Sequence, residues 1–364
     1  MKAFRYERAA DPEAAVAALR AYPTARYLAG GTNLVDLMKL GVERPELLID
    51  VTGLPYGGVR PTPGGGLLIG ATVTNSELAA DPAVRLRYPL LSQALLSGAS
   101  GQLRNAATVG GNLLQRTRCL YFQDTGKPCN KRAPGTGCPA REGVHRDLAV
   151  LGASEHCVAT HPSDMAVALA ALDADVHILG PDGPRTVPLD ELHRLPGDRP
   201  DRDTELAHGD LITHVELPEV PEAAYSAFRK VRDRASFSFA LVSAAAALEV
   251  ADGTVRRVRL AFGGVAHKPW RARTAERRLL GGPATEQAYA AAVDAELAPA
   301  EPLRDNAFKL PLLRHVAVRT LAGLTTAQGD TDRTGQGDTD PATHGGADPT
   351  AQGDTDRTPT EEGP

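Results

Sequence analysis

Tyr27-Leu28-Ala29-Gly30-Gly31-Thr32-Asn33-Leu34 is the stretch on which the reading of this chain turns. An apolar strand, Arg26 to Ala29, stops at two glycines. A helix begins at once with hydroxyl and amide side chains at its mouth, runs from Leu34 to Leu40 and ends at Gly41. Glycines let a ligand approach the backbone closely, and a helix start offers unpaired N–H groups at the positive end of its dipole. That combination suits a pyrophosphate; an ordinary strand–helix turn capped by Thr or Asn fits it equally well. Neither the GxGxxG fingerprint nor a GxxxxGK[ST] loop is present, so Rossmann and P-loop readings are not available.

Working outward, short strands and helices alternate. A helix opened by Asp11-Pro12-Glu13 precedes the motif, and strands at Glu46–Asp50 and Leu67–Ala71 follow it. Further helices start at Thr74 and near Tyr88. A second glycine pair then appears in Gln102-Leu103-Arg104-Asn105-Ala106-Ala107-Thr108-Val109-Gly110-Gly111-Asn112-Leu113, again flanked by Thr and Asn. Two such loops suggest a long ligand gripped at two places, a nucleotide cofactor. After residue 164 the pattern predicts helix Met165–Leu172 and strands Asp175–Leu179 and Leu211–Leu217, with Pro218 and Pro221 bracketing a domain boundary. Strands Tyr225–Val231, Leu241–Val250 and Val255–Phe262 come next, the last two joined by the hairpin signal Ala251-Asp252-Gly253. Helices are expected to about Leu324.

Composition bounds the function. The 364 residues are 42% hydrophobic and 23% charged, a globular balance, and only 4% aromatic, so a cofactor pocket here is lined mostly by backbone and aliphatic groups. The net charge of −5 is concentrated in the segment Ala327–Pro364, which holds nine acids and two arginines. The remainder is near neutral and lacks the basic excess of a nucleic-acid binder. The segment Ala327–Thr334 recurs word for word at Ala351–Thr358, and this low-complexity stretch reads as a disordered acidic tail. No run approaches the roughly 18 apolar residues of a membrane span. Met1–Arg8 has neither an apolar h-region nor a twin arginine, so no export signal is expected.

All four cysteines fall in one spacing, Cys119-x9-Cys129-x8-Cys138-x18-Cys157. Disulfide scaffolds spread cysteines through a chain, so the clustering points to a soft metal centre, zinc or iron–sulfur. Paired CxxC knuckles and the ferredoxin CxxCxxC run are both missing, and spacing alone does not name the metal. Pro128, Pro134, Gly135, Gly137, Pro139 and Gly143 favour a wrapping loop; Arg116, Arg118, Lys131 and Arg132 would offset a cluster's negative charge. His145, His156 and His161 lie close in sequence and read as neighbours, not ligands. Asp164 is either the N-cap of the following helix or an acceptor for a ribose or adenine group. Phe228–Phe237 is dense in cations.

Tyr27–Leu34, Arg104–Leu113, Ser163–Asp164, Leu211–Pro218 and Phe228–Lys230, in this order, resemble the FAD-binding medium subunit of the xanthine dehydrogenase family of molybdenum hydroxylases. The cysteine insertion resembles that of the flavin subunit of bacterial aldehyde oxidoreductases. The resemblance implies an α+β protein: a two-subdomain FAD-binding fold of the vanillyl-alcohol-oxidase type over residues 1–218, with an iron–sulfur insertion at 114–160. A C-terminal domain of a three-stranded sheet with helices follows at 222–325, and the tail is 326–364. It implies that Tyr27, Leu28, Ala29, Gly30, Gly31, Thr32, Asn33 and Leu34 hold the FAD pyrophosphate, with Thr108, Val109, Gly110, Gly111 and Asn112 as a second clamp. Asp164 would bind the sugar side, Leu211 would pack on the flavin, and Lys230, or Arg229 one position earlier, would lie near the isoalloxazine. Cys119, Cys129, Cys138 and Cys157 would hold a [4Fe–4S] cluster. Molybdopterin and [2Fe–2S] clusters are expected only in a large and a small partner subunit of a heterotrimer. The expected location is cytoplasmic, or periplasmic by co-export with a signal-bearing partner. No catalytic acid or base is assigned. Two rival readings are a zinc-stabilised binding or scaffold protein and a self-sufficient flavin oxidoreductase of the same fold.

Overall fold

The structure, a computed structural model, describes residues 1–335. Asp11 accepts a hydrogen bond from the Ala14 amide at 2.7 Å, and with Pro12 at the first position this starts helix α1 (Pro12–Ala21). The apolar stripe Ala15, Val16 and Leu19 packs on Leu47 and Ile49 of a parallel three-stranded sheet. Its strands β1 (Arg5–Arg8), β2 (Arg26–Leu28) and β3 (Leu47–Asp50) run in the order β1-β3-β2. The short α2 (Leu34–Lys39) carries the crossover from β2 to β3, as a parallel pair requires.

The second subdomain is an antiparallel sheet of β4 (Val59–Pro61), β5 (Leu67–Gly70), β6 (Asp175–Gly180), β7 (Gly183–Pro188) and β8 (Leu211–Leu217), in the order β4-β5-β8-β6-β7. Between β5 and β6 lie α3 (Asn75–Ala80), α4 (Pro82–Arg87), α5 (Pro89–Ser97), α6 (Gly101–Ala106), α7 (Val109–Leu113), α8 (Leu120–Gln123) and α9 (Asp164–Ala171). A one-turn helix, α10 (Leu189–Leu192), follows β7. Thr74 and Glu77 form a reciprocal capping box at α3. α9, with the sequence DMAVALAA, is buried along its whole length. It packs against α5 and against the sheet of the next domain, joining the two cores.

That sheet is antiparallel: β9 (Ser226–Val231), β10 (Val242–Ala251), β11 (Thr254–Gly263) and the two-residue β12 (Trp270–Arg271), ordered β12-β11-β10-β9. The three long strands are the expected ones; β12 adds a short edge. Asp252 and Gly253 both have positive φ, 51° and 69°, as the two-residue hairpin demands. α11 (Arg273–Leu279), α12 (Glu286–Leu297) and α13 (Lys309–Gly335) complete the domain.

The expected tail needs correction at its start. Residues 326–335 continue α13, in part because Gln328 reaches back to strand β10, accepting from the Val250 amide at 2.8 Å and donating to the Leu248 carbonyl. The rest of the expected tail, 336–364, lies outside the described residues. Among the described residues, no helix is long and apolar enough to cross a membrane.

Candidate functional site

The two glycine pairs meet. A Cβ on Gly30 would collide with the Ala106 carbonyl, so glycine is what allows the β2–α2 turn to lie against the α6–α7 connection. Gly31 has φ 70°, a conformation a side chain would strain. A cleft of about 1320 Å³ opens beside them, larger than the 300–1,000 Å³ typical of small-ligand pockets. Tyr27, Ala29, Gly30, Gly31, Thr32, Asn33 and Leu34 line it, as do Thr108, Gly110, Gly111, Asn112, Asp164, Leu211 and Lys230. Leu28 and Val109 do not line it. The Val109 side chain is fully buried in the core, because a continuous motif sends some of its side chains away from the ligand face.

The amides of Gly30, Gly31, Thr32 and Asn33 have no hydrogen-bond acceptor among the described residues. Successive free N–H groups of this kind form an anion-binding concavity. Asn33 adds to it. Its Oδ1 accepts from the Arg116 amide at 2.9 Å, which fixes the side chain, while its Nδ2 is buried with no partner. The second clamp is already hydrogen-bonded: the Gly110 amide donates to Ala71 and the Gly111 amide to Thr108 Oγ1. It offers shape more than donors. An FAD-sized dinucleotide fits both features, the orphaned donors and the glycine cradle.

Ser163, not Asp164, is the N-cap of α9. Its Oγ accepts from the Ala166 amide and donates to Asn112 Oδ1 at 2.6 Å, tying this helix to the second clamp. Asp164, freed from capping, pairs with Lys230 at 2.7 Å, and both side chains are buried. Burial pushes the Asp164 carboxyl up, against the pull of Lys230 and Arg232. Arg104 donates to the Gly98 carbonyl at 2.7 Å. Sequence reading missed a polar cluster at one end of the cleft, where Asp203 receives Arg116 at 2.8 Å and Lys131, and Arg116 also reaches Glu43 at 2.9 Å. Its members come from four separated segments, so no local pattern announces them.

The four cysteines converge. All are free thiols and all line one small space, with Phe122, Lys131 and Ala140 among its other walls. The insertion around them is held by side chain to backbone bonds: Asn130 bridges His156 and Gly137, and Arg132 donates to the Tyr121 and Phe122 carbonyls. Burial raises the Cys119 and Cys138 thiols and pushes Cys157 up to about 12. Opposing this, the Phe122 and Tyr121 amides face Cys119, the Val158 and Ala140 amides face Cys138, and the Lys131 charge and then the Ala159 amide act on Cys157. Among the described residues, no three His, Cys, Asp or Glu side chains stand in metal-ligand geometry. The donor type and the number of thiols are those of a four-thiolate centre, and backbone amides lie toward the sulfurs. Cys119 also lines the large cleft, so the two sites share a wall.

Comparison with known proteins gives this geometry its class. Residues 2–220 match the FAD binding domain in molybdopterin dehydrogenase, and residues 226–323 match the CO dehydrogenase flavoprotein C-terminal domain. The fold is therefore the mixed α+β FAD-binding architecture of these proteins with its C-terminal domain. The chain is 51% identical to the aldehyde oxidoreductase FAD-binding subunit PaoB of Escherichia coli (strain K12), over 88% of this chain and 98% of that one. It is 27% identical to the putative xanthine dehydrogenase FAD-binding subunit XdhB of the same organism, over 89% and 97%. Among solved structures, the carbon monoxide dehydrogenase from Hydrogenophaga pseudoflava that lacks the Mo-pyranopterin moiety superposes with TM-score 0.70 at 27% identity, over 89% and 98%. The chain belongs to the FAD-binding subunits of the molybdenum hydroxylases, the xanthine dehydrogenase family, and is an oxidoreductase subunit. The scaffold reading is set aside by this membership.

Proposed function

We propose that this chain is the electron-transfer subunit of a heterotrimeric molybdenum hydroxylase. Substrate is oxidised at molybdopterin in a large subunit, [2Fe–2S] clusters of a small subunit pass the electrons here, and an external acceptor takes them from this chain. One observation carries the reading: four adjacent amides without acceptors, Gly30 to Asn33, open onto a cleft sized for a dinucleotide in a chain of an FAD-binding family. FAD, when bound, supplies a ring that takes up and releases electrons singly or in pairs. The Gly30–Asn33 amides and Asn33 Nδ2 would hold its pyrophosphate, and Gly110 and Gly111 would let the second loop close on it. Leu211 offers an apolar contact on the cleft wall, and Lys230, held by Asp164, offers a fixed positive charge there. Similarity to a relative named as an aldehyde oxidoreductase subunit supports an aldehyde as the substrate of the complex.

Cys119, Cys129, Cys138 and Cys157 would hold a [4Fe–4S] cluster. Their convergence, the amides directed at sulfur and the wall that Cys119 shares with the cleft support this. The deciding experiment is flavin, iron, zinc and sulfide analysis of the complex purified with its partners. Flavin near one per chain is expected, with iron beyond the partner's [2Fe–2S] content that disappears in Cys138→Ser. Zinc in place of that iron overturns the cluster, and a flavin-free complex overturns the whole reading. Turnover of aldehyde by the isolated chain would favour a self-sufficient oxidoreductase instead.

A further inference from the structure

Three of the buried polar atoms without partners are histidine nitrogens, His161 Nε2, His193 Nδ1 and His267 Nε2, and all three residues line one small cavity of about 20 Å³ that shares His161 and Asp203 with the wall of the large cleft. The other ring nitrogens fix their protons. His193 Nε2 lies 2.9 Å from the Leu113 carbonyl and His267 Nδ1 lies 2.9 Å from the Arg194 carbonyl, so both must donate there and leave bare acceptors on the cavity side. His161 Nδ1 accepts from the Ser163 amide at 3.3 Å, so its proton sits on Nε2. These three rings therefore offer the cavity one donor and two acceptors, with the Leu113 carbonyl also facing His161 and Thr117 and Thr204 on its walls. Asp203 cannot complete the set. It is an acceptor too, 3.8 Å from His267 Nε2, and its oxygens are engaged by Lys131 and Arg116.

We propose that this cavity is a binding site for a single water molecule that accepts from His161 Nε2–H and donates to His193 Nδ1 and His267 Nε2. A water molecule supplies two donors and can accept a third bond, and the volume exceeds the roughly 10–15 Å³ a water needs. Burial holds all three rings below the ordinary histidine value, which keeps them in the neutral forms the pattern requires. The water joins three parts of the chain: the Thr160–Asp164 wall of the cleft, the loop after α10, and the C-terminal domain through His267. His161 lies two residues before the Ser163 that ties α9 to the second glycine clamp. The histidines are thus positioning residues for the cleft wall.

The test is a crystal structure of the assembled complex at a resolution that places waters, for the native chain and two variants. One peak within hydrogen-bond distance of the three nitrogens, without anomalous signal, is expected; a dry void or a metal ion overturns the proposal. His267→Gln keeps an inward acceptor and gives up the bond to Arg194, whereas His267→Asn keeps the outward bond and loses the inward one. The water should persist in the first variant and be lost from the second, which should release flavin about tenfold faster. The opposite pattern, or equal release, overturns the positioning role. The consequence for flavin rests on the proposed FAD site. If the native complex holds no flavin, that reading fails while the water peak still decides this one.

Discussion

Asp164 and Lys230 place opposite charges 2.7 Å apart on the cleft wall, both nearly closed to solvent. Lys230 has one further acceptor, the Ser97 carbonyl at 3.2 Å, and Arg232 donates to that same carbonyl at 2.6 Å. A buried pair adds little net stability, because desolvation offsets the attraction, but removing one partner strands the other. Asp164→Ala should therefore cost about 3–5 kcal/mol, read from urea unfolding. Combining Asp164→Leu with Lys230→Met should recover most of it. A double variant no more stable than the single one would mean that the loss comes from α9 packing and not from the stranded ammonium. The stability readout separates this structural role from flavin binding, which both variants are expected to weaken.

At the scale of elements, the β2–α2 turn and the α6–α7 connection act as one clasp, because Gly30 sits against the Ala106–Ala107 backbone. Gly30→Ala forces backbone away from backbone, with no flexible side chain to give way. Overpacking of about 1–3 kcal/mol is expected, with purified complex largely free of flavin. Gly111→Ala meets only Thr108 Oγ1, at 3.0 Å, and should retain most of its flavin by absorbance. Equal loss in both would mean the clasp is not what holds the cofactor. This clasp was legible in the sequence because a glycine pair after a strand has a local physical meaning. The cysteine convergence was legible for the same reason, being confined to one loop-forming segment. The partner of Asp164 was not, since Lys230 arrives from another domain and Ser163 beside it is as good a cap. β1 went unread because all four of its residues are exposed and carry no alternation, and β7, Gly-Pro-Arg-Thr-Val-Pro, hides behind its turn residues. The histidine cavity is assembled from distant segments and has no sequence signature.

On the scale of the whole molecule, Asp203 and the histidine cavity are where the cysteine insertion, the cleft and the C-terminal domain meet, and acid should act there first. Burial lowers His267 to about 4, Lys131 adding to the effect and Asp203 opposing it. His161 and His193 are lowered by burial too, with Lys268 acting on His193 and the other two histidines on His161. Burial opposes ionisation of Asp203, yet Lys131 and Arg116 outweigh it and hold the carboxyl well below the usual carboxylate range. Asp203 therefore keeps its charge while the histidines respond. Between pH 6.5 and about 4, the unfolded chain binds a proton at residue 267 that the folded chain refuses, so stability falls as pH falls. The loss from His267 is roughly 3 kcal/mol across that window, and nothing is gained from it above pH 6.5. Thermal unfolding of the complex should show a midpoint that drops steadily from pH 6.5 to 4.5. In His267→Gln, which has no proton to take up, the drop should be shallower, with the two curves converging on the acid side. Parallel curves would assign the acid sensitivity to other groups and leave His267 a spectator.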